Sequence, residues 1–151
     1  MASRSQTEEE MAGILSRYKT VAVVGVSRSP SKASHAVAGY LQSKGYEVVP
    51  INPYCDEVLG KKCYRSLLDV PERIAETIEI VDIFRPSEDV SRIVEQAIQL
   101  RRRCGKPEVI WMQLGIVDEE AAEAARDAGL TVIMDRCIKI EHSRLESEGR
   151  L

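Results

Sequence analysis

The chain has 151 residues, a formal net charge of −3 at pH 7 and an aromatic content of only 5%. This length suffices for one domain with a hydrophobic core, whereas the acidic balance and the scarcity of aromatic side chains argue against nucleic acid as a partner. No apolar run approaches the roughly 20 residues of a membrane span, and the first residues, MASRSQTEEEM, lack the apolar core of a signal peptide, so we expect a single cytoplasmic domain over residues 1–151.

The predicted elements begin with a helix over about residues 7–18, in which Thr7 and Glu10 have the spacing of a capping box. A core over about residues 20–145 follows, and its β-branched and apolar runs predict strands over 21–26, 47–51, 78–84, 109–112 and 131–134. Amphipathic stretches predict helices over 34–44, from a capping Ser87 to the glycine at 105, from a capping Asp118 to the glycine at 129, and over 138–145.

This order of elements alternates strands with helices, and the third to fifth strands are nearly uninterrupted apolar runs. Such strands are covered on both faces and lie parallel, joined by right-handed crossovers. We therefore predict an α/β fold with one doubly wound, mainly parallel five-stranded sheet of the Rossmann type. Ligands of such sheets bind outside the carboxyl ends of the strands, near the topological switch point, so the residues that follow the strands are the candidate site.

The first strand ends at Gly25 and opens into a polar turn. Backbone N–H groups in a turn of this kind, together with the start of the next helix, hold phosphate groups. Ser27, Arg28 and Lys32 add a hydroxyl and two cations, and His35 at the helix start could touch the same phosphate. The spacing is not that of the dinucleotide fingerprint, because the next glycine comes well into the helix. An ordinary polar loop is the alternative interpretation.

Asn52 and Pro53 follow the second strand, where a protein that binds a nicotinamide dinucleotide normally has Asp or Glu for the ribose diol. Asn52 and the flanking backbone suit an adenosine without a free diol, such as one with a 3′-phosphorylated ribose. Asp56 and Glu57 lie slightly further on, and they keep an NAD-binding interpretation open.

The remaining strand ends carry candidates with two interpretations each. Phe84 could pack on an adenine or a pantetheine arm, or it could be the last core residue of its strand, and Arg85 could face the ligand or form a surface ion pair. Gln113 and Gly115 allow close approach of a ligand to the backbone. Cys137 either lies near a thiol or acyl arm or is a small buried residue.

The sequence contains no complete catalytic constellation. The two histidines, His35 and His142, have no nucleophile and carboxylate in a triad-like spacing. The four cysteines stand far apart in sequence, without a C-x-x-C pair, so we expect reduced thiols and no metal site.

Together these residues resemble a known family, the stand-alone CoA-binding proteins of bacteria and archaea. Their domain is similar to the N-terminal CoA-binding domain of the succinyl-CoA synthetase alpha subunit and of NDP-forming acyl-CoA synthetases. The matching stretches cover about residues 12–145 and are VVGVSRSPSK, GYEVVPINPYCDEVLGKKCYRSLLDVP, VDIFRP, VIWMQLGIVDEEAAEAARDAGLTVIMDRC and IEHSRL.

The resemblance implies that CoA lies across the carboxyl edge of the sheet. It assigns the phosphates to Gly25, Ser27 and Lys32, the nucleotide to Ile51, Asn52 and Pro53, the cleft to Phe84 and Arg85, and the pantetheine end to Gln113, Leu114, Gly115 and Cys137.

The ligases that share this domain need a phosphohistidine domain and an ATP-grasp partner, for which 151 residues leave no room. We therefore expect non-catalytic binding of coenzyme A or acyl-CoA, with a homodimer or a protein partner open. One alternative is an NAD(H)-binding redox-sensing module. Another is the CoA-binding subunit of a multi-component acyl-CoA ligase, in which Cys137 could form a mixed disulfide with CoA.

Overall fold

The structure is a computed structural model that describes residues 4–151. Within this range the strands are β1 (Thr20–Val24), β2 (Glu47–Ile51), β3 (Glu57–Val58), β4 (Lys61–Lys62), β5 (Ile80–Ile83), β6 (Val109–Met112) and β7 (Thr131–Ile133). The helices of the same range are α1 (Arg4–Arg17), α2 (Ala33–Ser43), α3 (Glu72–Ala75), α4 (Ser87–Cys104), α5 (Glu119–Asp127) and α6 (Ile138–Ser147), and one 3-10 turn covers Leu67–Asp69. No helix in this part of the chain is both long and apolar enough to cross a bilayer.

The main sheet has the strand order β2-β1-β5-β6-β7, and every neighbouring pair is parallel. In its centre, Val23 of β1 lies opposite Pro50 of β2 and Asp82 of β5. The connections reverse direction between β1 and β5, which makes that gap the topological switch point. The predicted doubly wound, Rossmann-like α/β fold is thus confirmed.

Two layers of helices cover the sheet. One layer consists of α1, α2 and α6, which pack with Val23 and Ile80, and we call this side the α2 face. The other consists of α4, α5 and the 3-10 turn, which pack with Val24 and Ile83, and we call it the α4 face. Alternate strand residues point to opposite faces, so each strand contributes to both cores.

Several predicted boundaries were wrong. The first helix begins at Arg4, so Thr7 lies inside it and is not its capping residue. β1 ends at Val24, because Gly25 has a φ of 89° and leaves the extended conformation. β5 begins two residues later than expected, because the N–H of Ile78 still bonds to the carbonyl of Ala75, the last residue of α3 (3.2 Å).

Of the other two predicted capping residues, Ser87 and Asp118, one is confirmed. The Asp118 side chain accepts a hydrogen bond from the N–H of Ala121 (3.0 Å) at the start of α5. Ser87 is instead the first residue of α4, and Pro86 occupies the capping position without a side-chain bond.

The β3–β4 hairpin was not predicted. Its turn consists of Leu59 and Gly60, with φ values of 53° and 74°. Two residues with positive φ are typical of the tight turns that match the twist of a hairpin. Leucine is an unusual residue for that conformation, so the sequence carries no clear hairpin signal.

Candidate functional site at the carboxyl edge of the sheet

The ends of three neighbouring strands meet at Gly25. Its N–H donates to the carbonyl of Ile51 (2.9 Å), and the N–H of Phe84 donates to the carbonyl of Val24 (2.8 Å). A Cβ on Gly25 would lie 2.6 Å from the carbonyl oxygen of Phe84 and 2.9 Å from Cδ of Arg85. Only glycine therefore fits at this point, both for its positive φ and for the close approach of β5.

The turn from β1 into α2 is organised by serine hydroxyls. Ser27 donates its backbone N–H to Oγ of Ser34 (2.9 Å), and Ser29 donates its N–H to Oγ of Ser27 (3.0 Å). The hydroxyls of Ser29 and Ser31 lie 3.0 Å apart. Ser34 is buried, and it is a residue that sequence reasoning missed, although its place in the first turn of α2 was a usable signal.

Two cations border this turn. Arg28 and Lys32 are exposed, and among the residues that the structure describes neither has an ion-pair partner. Lys32 immediately precedes α2, and His35 lies half-buried in its first turn. The first N–H groups of a helix lack intrahelical partners and carry a partial positive charge. The turn is therefore suited to an anion.

Asn52 ties the loop after β2 to the loop after β1. Its Nδ2 donates to the carbonyl of Val26 (2.8 Å), and its Oδ1 accepts the N–H of Tyr54 (2.7 Å). Its side chain is thus engaged at both ends within the protein. Pro53 and Tyr54, beside it, are exposed, so these two side chains are the parts of this loop open to a ligand.

An apolar groove of about 550 Å³ runs along the same edge. The ends of β5, β6 and β7 and the start of α2 contribute its walls, which are formed by Ala33, Val37, Phe84, Arg85, Pro86, Gln113, Leu114, Ile116, Cys137 and Ile140. Five of these are predicted site residues. The other five, Ala33, Val37, Pro86, Ile116 and Ile140, were missed. Ala33, Val37 and Ile140 belong to α2 and α6, and a helix face that lines a groove has the same sequence pattern as one that packs in a core.

The polar members of the groove are engaged in internal contacts. The Arg85 guanidinium donates to Oδ2 of Asp89 (2.8 and 3.2 Å). This contact is the surface ion pair that we gave as the second interpretation of Arg85 from the sequence. Oε1 of the buried Gln113 accepts the N–H of Ile138 (3.0 Å) and so holds the start of α6 beside the groove.

The loop after β6 completes the rim. Gly115 has a φ of 81°, and its N–H donates to Oδ1 of Asp135 (2.6 Å) in the loop after β7. Leu114, between Gln113 and Gly115, keeps 65% of its surface exposed. An exposed leucine at the rim of an apolar groove offers contact area to a bound molecule.

Asp82 is a buried residue of β5 that lies two residues before Phe84, so both side chains are on the α2 face. Asp82 has no exposed surface, and neither of its oxygens has a hydrogen-bond partner among the residues described. Burial raises the pKa of Asp82 well above its usual value, because desolvation disfavours the charged form. Sequence reasoning missed this residue, although an Asp in the apolar run VDIF was a visible signal.

The structure therefore brings most of the predicted site residues to one edge. Gly25 and Ile51 join the strand ends, Asn52 joins two loops, and the groove unites the ends of β5, β6 and β7.

A comparison with protein-family models adds a match to the CoA binding domain over residues 19–143. The chain belongs to this family. Among curated relatives, it is 39% identical to the uncharacterized protein YneT of Bacillus subtilis over 140 residues, covering 93% of this chain and 97% of the relative. It is 34% identical over 141 residues to an ADP-forming acetate–CoA ligase of Methanocaldococcus jannaschii, of which it covers only 18%.

Solved structures of CoA-binding domain relatives agree with the fold. A hypothetical protein from Pyrococcus horikoshii superimposes with a TM-score of 0.84 at 39% identity, covering 97% of this chain and 99% of that one. A dinucleotide-forming acetyl-coenzyme A synthetase of Candidatus Korarchaeum cryptofilum superimposes with a TM-score of 0.62 at 27% identity, covering 76% of this chain and 25% of the synthetase.

Proposed function

We propose that this protein binds coenzyme A or an acyl-CoA along the carboxyl edge of its sheet, without itself catalysing a ligase reaction. The observation that carries the proposal is the combination, on one edge, of a cationic turn after β1 and an apolar groove after β5, β6 and β7. Membership of the CoA binding domain family supports the same ligand.

The β1–α2 turn is the proposed phosphate site. CoA carries a diphosphate and a ribose 3′-phosphate, and both need cations or free N–H groups. Lys32 and Arg28 are exposed and have no ion-pair partner within residues 4–151, and α2 adds the partial positive charge of its N-terminus. Binding through these groups weakens as salt is added, because exposed charges are screened.

The groove is the proposed site of the pantetheine arm. That arm is long, flexible and mainly apolar, with amide groups along its length. A groove lined by Phe84, Leu114 and Ile140 can remove such a chain from water. Cys137 lies in its wall, and a thiol or thioester at the end of the arm would reach this part of the groove.

The competing ligand is NAD(H), and the loop after β2 argues against it. Asn52 occupies the position of the acidic ribose-binding residue, and both ends of its amide are already bonded. Asp56 directly precedes the short strand β3, in which Glu57 is paired with Lys62. Asp56 and Glu57 thus both belong to the β3–β4 hairpin, and neither stands at the end of β2, where the carboxylate for a ribose diol is normally found.

Calorimetric titration with CoA, 3′-dephospho-CoA and NADH tests the ligand. We expect CoA to bind most tightly, dephospho-CoA more weakly and NADH not measurably. Equal affinity for CoA and dephospho-CoA would contradict the role of the 3′-phosphate, and preference for NADH would replace the proposal with its competitor.

A matched pair of lysine variants tests the location. Lys32 precedes α2, whereas Lys44 follows the other end of the same helix, about 18 Å away. We expect Lys32→Ala to weaken CoA binding about tenfold, the value of one charge-assisted hydrogen bond. Lys44→Ala removes an ion pair with Glu146 and should leave CoA affinity unchanged. Equal effects of the two substitutions would place the phosphates elsewhere.

A further inference from the structure

Cys55 and Cys63 stand in the loop and hairpin that follow β2, and the fold brings their sulfur atoms to 3.7 Å from each other. Cys55 is half-buried and Cys63 is buried. Their spacing in the sequence does not predict a pair, since they are not in a C-x-x-C motif. The hairpin β3–β4 is what brings them together, because its antiparallel pairing returns the chain beside Cys55.

The two thiols form a chain of weak hydrogen bonds that ends on Asn52. The Cys55 thiol donates to Sγ of Cys63, and the Cys63 thiol donates to the backbone carbonyl of Asn52 (3.6 Å). Asn52 is the residue that bridges to Val26 in the loop after β1. The thiols therefore contact the loop that Asn52 ties to the turn after β1.

The pair is also open to small molecules. A cavity of about 340 Å³ has both cysteines in its wall, along with the exposed cations Lys62 and Arg65 and the carboxylates Asp56 and Asp69. A separation of 3.7 Å exceeds the length of a disulfide bond by only about 1.7 Å. Formation of the bond requires the two side chains to rotate so that the sulfurs close that gap.

We propose that Cys55 and Cys63 are a redox site, which low-molecular-weight disulfides convert to an intramolecular disulfide that weakens ligand binding at the neighbouring loop. The second half of this inference rests on the proposed function, whereas the first half does not. A disulfide has no S–H group, so the hydrogen bond from Cys63 to the Asn52 carbonyl would be lost. The shorter S–S distance would also draw the loop of Pro53 and Tyr54 toward the end of β4.

The reaction is a two-step thiol–disulfide exchange with a disulfide RSSR. Cys55 loses its proton, and its thiolate attacks one sulfur of RSSR. This step forms Cys55–S–S–R and releases the thiolate RS⁻, which takes up the proton and becomes the first RSH. Cys63 then loses its proton and attacks the Cys55 sulfur, which releases the second RSH. The protein loses two electrons and two protons, and RSSR gains them.

The environment of the two sulfurs sets this order. Burial raises the pKa of Cys63 to about 12. Cys63 therefore stays protonated and is a poor first nucleophile. Cys55, which is less buried, meets the disulfide first, and Cys63 acts as the resolving thiol once the mixed disulfide has formed beside it.

Mass spectrometry tests the redox site without reference to any ligand. The reduced protein is incubated with glutathione disulfide and glutathione at a series of ratios, alkylated, and analysed intact and after digestion. We expect wild type to lose two hydrogens and to yield a peptide linking residues 55 and 63. Cys104→Ser, which removes a thiol outside the pair, should behave like wild type, and Cys63→Ser should retain a glutathione adduct on Cys55. Alkylation of both thiols at every ratio, or adducts on Cys104 or Cys137 with the pair untouched, would overturn the proposal.

Calorimetry with acetyl-CoA then tests the coupling, because its blocked thiol cannot reduce the protein disulfide. We expect the oxidised protein to bind about fivefold more weakly than the reduced protein, at the low end of typical coupling between sites, and a reductant to restore the affinity. Equal affinities would refute the coupling. Absence of acetyl-CoA binding by both forms, together with absence of CoA binding by the reduced protein, would refute the proposed function instead, and the mass measurement would still decide whether the disulfide forms.

Discussion

The two faces of the sheet bury different chemistry. The α4 face is closed by an aliphatic cluster that includes Val24, Ile83 and Ile110. The α2 face contains, among the residues described, all of the buried polar side chains, which are Ser34, Asp82, Gln113, Glu141 and His142. Only Asp82 of these five is a strand residue, so the difference arises mainly from α2, α6 and the loop after β6.

Two of the buried polar side chains of the α2 face hold the elements that border the candidate site. Ser34 and Gln113 hold the starts of α2 and α6 by bonds to the N–H groups of Ser27 and Ile138. Such bonds have directional geometry, which aliphatic packing lacks. The α4 face can therefore be described as the part that stabilises the sheet, and the α2 face as the part that positions the candidate site.

The largest effect is expected at Gly25, where the ends of β1, β2 and β5 meet between the two faces. Gly25→Ala should destabilise the fold by more than about 3 kcal/mol, because a Cβ would collide with the backbone carbonyl of Phe84 in addition to the strain of a positive φ. Urea unfolding followed by circular dichroism measures the loss.

Gly45→Ala provides the matched control. Gly45 has the same φ of 89°, but nothing lies within 4 Å of a Cβ placed there. We expect a cost of about 1 kcal/mol, from the positive φ alone. Similar costs at Gly25 and Gly45 would show that the approach of β5 to Gly25 is unimportant.

The next effect concerns Asp82 and changes with pH. The pKa of Asp82 is raised by burial, so the folded state keeps a proton that the unfolded state loses above about pH 3.9. Stability therefore falls as pH rises from about 3.9 toward the folded pKa, by up to about 1.4 kcal/mol per pH unit. Asp82→Asn removes this loss, so its stability relative to wild type should increase steadily across that window.

Urea titrations at several pH values above 4 measure the two slopes. Ile110→Val, on the α4 face, is the control and should lose about 1 kcal/mol at every pH, with the slope of wild type. Parallel pH profiles for wild type and Asp82→Asn would contradict the assignment of the slope to Asp82.

The sequence predicts the long apolar strands of the fold better than its short or polar elements. The strands Glu47–Ile51 and Val109–Met112 were predicted with the right bounds, since continuous apolar runs end there at polar or turn residues. The β3–β4 hairpin was missed, because two-residue strands with Lys61 and Lys62 show no alternation. Thr7 misled, because a capping-box pattern also occurs inside helices.

The candidate site was predictable in position and less so in detail. The rule that ligands bind at strand ends selected Gly25, Phe84 and Cys137, and each of them lies at the carboxyl edge. The sequence does not show what a polar side chain bonds to. Asn52 was predicted to flank a nucleotide and Gln113 to allow close approach of a ligand to the backbone; the sequence does not show that their amides also form hydrogen bonds within the protein.

The smallest effect is expected at Tyr40, whose hydroxyl lies 2.8 Å from Nδ1 of His142 between α2 and α6. Burial lowers the pKa of His142 below its usual value, with a smaller opposing effect of Glu146 and a lowering effect of Lys44 and Lys19. The unfolded state therefore binds the proton more readily, and stability is lost as pH falls below about 6.5.

Tyr40→Phe should cost about 1 kcal/mol near pH 8, the value of one hydrogen bond to a neutral ring. The hydroxyl can also accept from the protonated ring, and hydrogen bonds to charged groups are stronger, so the cost should rise toward about 2 kcal/mol as pH falls through the lowered pKa of His142. Urea unfolding of both proteins at a series of pH values from about 8 downward measures the cost, and the same titration of wild type shows where His142 takes up its proton. A cost that stays constant through that range would contradict a hydrogen bond from the protonated ring to Tyr40.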